Sequence, residues 1–340
     1  PKLGLALSGA SSRSVFYIGF LEVLKEKEFP IDYIAAMSGG AIIAASFACN
    51  TMDEIKKLAF DLDKEVIFSL IERSKGRGGI YHMEKVEEML RVYTKNLNFE
   101  DVHPRLGFVA TDITAGEEVT LQVGDLARAV CASCTLPGVF QPFAWGNKNL
   151  IDGGVMNIVP GNVAQQAGVD VVIGVDMRAT RFVFSKWQIT LKRMLNFAKR
   201  IVWPNQAEQL WQRVANLLDY SDFFNAYPTI DELENRTEYP NLFSVLGRSL
   251  DLAIEAQRKH QTSDTSFNCD LLIVPETPKL PFWKRFLFLH FTDFSHTHEY
   301  YKAGRRTALE YLPKLWKTLA DHEQKQQEAT KQLQSLMQKN

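Results

Sequence analysis

The sequence has almost no net charge, few cysteines and no long apolar run, and each shortage removes a class of function. Its 39 Lys and Arg balance 40 Asp and Glu, leaving a formal charge of −1 over 340 residues. That balance excludes a nucleic-acid binder whose whole surface is basic. Four cysteines, Cys49, Cys131, Cys134 and Cys269, are too few to staple so long a chain, so a reducing compartment is expected. No uninterrupted apolar stretch approaches ~18 residues, which excludes a transmembrane helix. No basic segment followed by an apolar run opens the sequence, so no secretory signal is read and a cytoplasmic location is expected. Cys131-Ala-Ser-Cys134 has the spacing of a metal or redox pair, but no second pair accompanies it, and it reads as buried small side chains. Asp112, Glu117 and Glu118 flank a turn without the spacing of a calcium loop. Neither a metal nor a cofactor is expected.

What is present is a large apolar fraction, 46% of residues, enough to bury a sizeable core. Leu3–Leu7 reads as a strand, Ser8–Ser14 as a small-residue loop, and Val15–Phe29 as a helix stopped by Pro30. Asp32–Met37 is a second strand and Gly39–Cys49 a tightly packed small-residue helix. Further strands are expected at Leu106–Ile113, Val119–Val123, Val169–Asp176 and Asp270–Val274, with a closing helix at Ser295–Ala320. Strands that are apolar throughout and alternate with helices indicate an α/β fold, a mostly parallel sheet covered on both faces. From Arg181 to about Asn241 glycine disappears and aromatic and basic residues crowd in. The end, 321–340, is glutamine-rich and reads as a surface helix or frayed tail.

Three short segments carry chemistry. Ala36-Met37-Ser38-Gly39-Gly40 sits where a strand passes directly into a helix, the pattern of a G-x-S-x-G nucleophile elbow with alanine first. Small residues flank such a serine because strand and helix cross closely, and the helix directs its positive end at the serine. The same residues also fit a glycine-rich turn with an incidental serine. Asp152, in Leu150-Ile151-Asp152-Gly153-Gly154, is either a base on a tight turn or an ordinary Asp-Gly turn. The loop Ser8-Gly9-Ala10-Ser11-Ser12-Arg13-Ser14 fits an oxyanion loop buttressed by Arg13, a phosphate loop, or a plain connection. It lacks the lysine of a Walker loop and the spacing of a dinucleotide fingerprint.

Taken in order, the loop with Arg13, the elbow at Ser38 and Asp152-Gly-Gly resemble the patatin-like phospholipases, in particular the bacterial relatives of neuropathy target esterase. Val109–Glu117, Leu126–Val130 and Leu136–Phe140 are similar to the segments between those motifs. The resemblance runs over residues 2–178, returns around Arg248–Arg258, Asp270–Pro275 and the closing helix, and leaves 181–241 uncovered. It implies one patatin-like domain over 1–320 with a variable basic and aromatic helical segment at 181–241. It further implies a serine–aspartate dyad without histidine: Ser38 attacks an ester carbonyl, Asp152 takes the proton, and N–H groups around Gly9, Ala10 and Ser11 hold the oxyanion. The substrate implied is a lipid ester, phospholipid or lysophospholipid. Ala10, Ser11, Ser14 and Ala36 stand where the family usually has glycine. A left-handed backbone at such a residue costs roughly 1–2 kcal/mol. A second reading is therefore a catalytically impaired lipid-binding or scaffold protein on the same fold. Acyl transfer, as in malonyl transacylases, needs a histidine where Met37 stands.

Residues 186–202 place Trp187, Leu191, Met194, Leu195, Ala198, Ile201 and Val202 on one helical face. Lys192, Arg193, Lys199 and Arg200 fall on the other. Residues 181–216 hold seven Lys or Arg and one acidic residue. A basic amphipathic helix with tryptophan suits an anionic membrane surface, and equally a helix packed on its own domain. Pro281–Phe288 repeats the aromatic and basic theme.

Overall fold

A computed structural model describes residues 1–62, 66, 69–70, 72–74, 78–177, 257, 266–276, 294 and 296–337. Residues 186–202 and 281–288, including Trp187, Lys192, Arg193, Lys199 and Arg200, lie outside the described residues.

The chain opens with β1 (Leu3–Leu7), α1 (Val15–Glu26), β2 (Tyr33–Met37), α2 (Gly39–Ala48) and α3 (Met52–Asp61). Then come β3 (Glu72–Arg73), β4 (Gly79–His82), α4 (Glu84–Thr94), β5 (Arg105–Asp112), β6 (Glu117–Leu121) and α5 (Leu126–Cys134). They are followed by β7 (Gly138–Phe140), β8 (Phe143–Trp145), β9 (Lys148–Asp152), α6 (Gly161–Gln166) and β10 (Val171–Val175). The last described elements are β11 (Leu271–Ile273) and α7 (Thr297–Met337).

The main sheet runs β11-β10-β1-β2-β5-β9-β8, with β6 also on β5. From β11 to β5 every pairing is parallel; β6, β8 and β9 add antiparallel pairs. A second small sheet joins β3, β4 and β7. β1, β2 and β10 are buried along their whole lengths, as continuous apolar runs require when both faces are covered. Alternation divides β1 cleanly: Leu3, Leu5 and Leu7 join the larger core with α1, α2 and α7, while Ala6 faces a smaller core under α6. The expected α/β architecture is the one observed.

Two boundaries differ from the sequence reading by more than two residues. The first helix ends at Glu26, before Pro30 acts. Glu28 turns left-handed at φ 49° and the Phe29 N–H closes on the Leu24 carbonyl at 2.9 Å, a C-terminal motif that needs no proline. The closing helix does not stop at Ala320 but continues to Met337, because the glutamine, lysine and glutamate of the last turns are good helix formers. It lies on α1 in near backbone contact. A Cβ on Gly19 would sit 2.2 Å from the Tyr301 carbonyl oxygen, and one on Gly304 1.9 Å from that of Phe16. Arg305 then grips Glu26 through both guanidinium nitrogens at 2.7 and 2.9 Å.

Candidate active site

One residue makes the turn between β2 and α2. Ser38 does so at φ 51° and ψ −131°, a conformation that costs a non-glycine residue about 1–3 kcal/mol and persists only where its surroundings fix it. The small residues around it are not equivalent. A Cβ on Gly40 would lie 2.8 Å from the Ser8 carbonyl oxygen, and one on Gly39 2.9 Å from Ser14 Cβ. Both positions need glycine. Ala36, by contrast, packs its methyl in the core and is fully buried.

Asp152 arrives by an arrangement that only the sheet reveals. β6 pairs one edge of β5 at residues 108–112, so β2 and β9 must share the other edge. β2 occupies it up to Met37↔Val109, and β9 takes over at Asp152↔Ala110. The two strands meet end to end, and Ser38 and Asp152 stand at the junction. The Asp152 carboxyl accepts the Gly154 N–H at 2.8 Å, and the Ser38 side chain lies near enough to favour its charged form. Its backbone is tied on both sides, with N–H to the Thr135 carbonyl at 2.8 Å and C=O accepting Thr111 Oγ1 at 3.2 Å. Burial pushes this carboxyl up to about 6, with the nearby Ser38 side chain and the Gly154 N–H pulling the other way. At neutral pH it is a carboxylate, poised near the working range of a base.

The loop after β1 closes the third side. Ser8 is anchored through its N–H to Val175, its hydroxyl to Tyr17 at 3.1 Å, and the Met177 N–H to its Oγ at 2.9 Å. A Cβ on Gly9 would fall 3.0 Å from Ser38 Cβ, which places the loop directly against the serine. Among the described residues, the N–H groups of Gly9, Ala10 and Gly39 have no protein acceptor. Arg13 is half-buried, with its N–H on the Ala10 carbonyl at 3.0 Å. Of the three departures from glycine in the loop, one carries strain. Ser11 has φ 50°, whereas Ala10 has φ −145° and Ser14 φ −60°.

Four residues at the site were not singled out from sequence for this place. Met37 fills the gap between loop and turn: its Sδ would lie 2.5 Å from a Gly9 Cβ and its Cε 2.6 Å from a Gly154 Cβ. Gly153, which the sequence does mark beside Asp152, is equally committed, since its Cβ would fall 2.3 Å from the Val109 carbonyl oxygen. Ser133, Cys134 and Thr135 end α5 against the junction. Cys134 sits beside Ser38 and Asp152; burial first, then the Asp152 charge, hold its thiol well above the usual range and protonated. The available signal was a serine, a cysteine and a threonine, all able to bond backbone groups, closing a helix before Leu136-Pro137-Gly138.

All four cysteines are free thiols. Among the described residues no cluster of three His, Cys, Asp or Glu side chains is arranged to hold a metal ion, and no helix is long and apolar enough to cross a membrane.

Residues 5–164 match the family model described as patatin-like phospholipase. An uncharacterized NTE family protein of Mycobacterium tuberculosis is 28% identical over 312 residues, covering 82% of this chain and 84% of that protein. Patatin-like phospholipase domain-containing protein 6 of Mus musculus is 25% identical over 221 residues, 61% of this chain and 16% of that much longer one. The solved structure of VipD from Legionella pneumophila is similar at a TM-score of 0.40 and 14% identity, covering 92% of this chain and 67% of that one.

Proposed function

Because the chain carries a patatin-like phospholipase domain over residues 5–164, we propose that it is a serine acylhydrolase cleaving lipid esters, phospholipid or lysophospholipid, through Ser38 and Asp152. The family supports lipid acyl hydrolase chemistry in general. The observation that carries the finer reading is that β2 and β9 meet end to end on one edge of β5, which brings the buried Asp152 carboxyl next to the Ser38 side chain. A base in that position needs no intervening imidazole.

In this mechanism Ser38 Oγ attacks the ester carbonyl as its proton passes to Asp152. The oxyanion that forms is held by the N–H groups of Gly9, Ala10 and Gly39, each such donor contributing about 3–4 kcal/mol in other serine hydrolases. Collapse expels the alcohol, which takes the proton from Asp152 and leaves an acyl-Ser38. Water then gives a proton to Asp152 and attacks the acyl carbon; collapse releases the fatty acid as Asp152 returns the proton to Ser38 Oγ. The positive end of α2 favours the negative charge at each stage.

Peripheral attachment to an anionic membrane rests on the sequence of 186–202 alone. Co-sedimentation with anionic and neutral vesicles, at low and high salt, tests it with Lys192, Arg193, Lys199 and Arg200 all changed to Glu. Equal binding of wild type and variant overturns it.

Fluorophosphonate labelling of the full chain tests the activity. Ser38 should label and Ser38→Ala should not. An unlabelled wild type that still binds lipid would favour the lipid-binding reading, with the strained Ser11 as its structural cause.

A further inference from the structure

The hydroxyl of Ser133 occupies a place that regular sheet geometry would give to a direct hydrogen bond. In the parallel pairing of β2 with β5, the register ends at Met37↔Val109. The next N–H on β2 is that of Ser38, and the carbonyl awaiting it is that of Val109. They do not bond to each other. The Ser38 N–H donates to Ser133 Oγ at 2.9 Å, and Ser133 Oγ donates to the Val109 carbonyl at 2.6 Å. Ser133 is fully buried. Its hydroxyl is thus a one-atom spacer in the ladder, satisfying the donor and the acceptor that the departing strand leaves behind.

We propose that Ser133 is a positioning residue for the Ser38 nucleophile: its hydroxyl holds the Ser38 backbone off β5 in the positive-φ turn that aims Oγ at Asp152. This rests on the Ser38–Asp152 reading above. Without the hydroxyl, two buried backbone groups lose their partner, and they recover it most simply by bonding to each other. That would draw Ser38 back toward strand geometry and turn its side chain from the carboxylate. The neighbouring Thr135 carbonyl anchors the Asp152 N–H at 2.8 Å, so the end of α5 fixes both partners from one side. Asp152 keeps its own ties when Ser133 changes, so the fault falls on the nucleophile alone.

The experiment measures the rate of fluorophosphonate labelling of the full chain against pH for wild type, Ser133→Ala, Ser133→Thr and Ser46→Ala. Ser46 is a buried serine of α2 whose hydroxyl bonds Ile42 at 3.0 Å, and it controls for the loss of any buried hydroxyl. Ser133→Ala should label about tenfold more slowly, the scale of one net hydrogen bond. Its pH midpoint should stay near the Asp152 value of about 6, since the base is untouched. Ser46→Ala, at similar loss of thermal stability, should label at the wild-type rate, and folded Ser133→Thr should regain most of the rate. A Ser133→Ala rate equal to wild type or to Ser46→Ala overturns the positioning role while leaving the dyad standing. A wild type that does not label at Ser38 removes the dyad and this role with it.

Discussion

Ser11 and Ser38 adopt nearly the same positive φ, 50° and 51°, in two turns that touch, yet they are held there for different reasons. Ser38 is fixed from both sides: its N–H is spent on Ser133, and its carbonyl accepts the Ala41 N–H at 2.8 Å. Its side chain is the one group the proposed chemistry cannot lose. Ser11 opens a short turn into α1 with its carbonyl near Gly39, and a glycine there would serve the backbone better. In the proposed mechanism the strain at Ser38 belongs to the nucleophile, while the strain at Ser11 falls on a residue whose side chain takes part in no step.

The sharpest break of that comparison is Ser38→Ala against Ser11→Ala. The first should lower ester hydrolysis by roughly 10⁴–10⁶, the scale for loss of a serine nucleophile, while the second keeps it; assays on a short-chain ester check both. Asp152→Asn should also abolish turnover, and it has a signed consequence for stability. Folding raises this carboxyl from 3.8 to about 6, so its contribution is full below pH 3.8 and lost as pH rises through 6. Above pH 6 the wild type bears the cost of a buried charge, about 3 kcal/mol at most. Asp152→Asn should therefore melt higher than wild type at pH 8 and lose that advantage near pH 4. Wild-type turnover should rise with pH through a midpoint near 6, as the base loses its proton.

A smaller effect separates the two sides of the elbow. Gly40→Ala drives a methyl to within 2.8 Å of the Ser8 carbonyl oxygen and should cost about 1–3 kcal/mol in denaturant unfolding. Ala36→Gly should cost less, about 1 kcal/mol, through strand entropy and a lost methyl. The smallest effect belongs to Ser11→Gly. Relief of the left-handed strain, offset by a more flexible unfolded chain, should leave a gain of up to about 1 kcal/mol. Ala10→Gly and Ser14→Gly should only destabilise, since neither residue has positive φ. An equal gain from all three would erase the distinction.

Much of this was legible in the chain. The strands around Leu5, Ile34 and Ile173 announce themselves as unbroken apolar runs, and Ser38 and Asp152 stand out because each sits beside paired glycines. The loop departures were legible as chemistry but not as conformation. Nothing in the letters tells Ala10 from Ser11, because φ is set by how the loop packs on Gly39. The meeting of β2 and β9 on one edge of β5 was invisible, since antiparallel entry of a strand is a property of topology, not of its residues. Ser133 was hidden for a related reason: within a run of small buried residues, its hydroxyl matters only once Val109 and Ser38 are known to face it.

The crossing of α1 and α7 bears on how the molecule comes into being. Gly19 and Gly304 press together two backbones that lie far apart in sequence, so the helix that follows the loop of Gly9 and Ser11 finds its cover only in a much later segment. On a ribosome the first helix would wait, apolar face exposed, until α7 emerged and closed over it. Contacts of such long sequence separation slow folding and leave surface open to aggregation meanwhile. That delay also leaves the loop of Gly9, which leads into α1, without its final packing until α7 has been made.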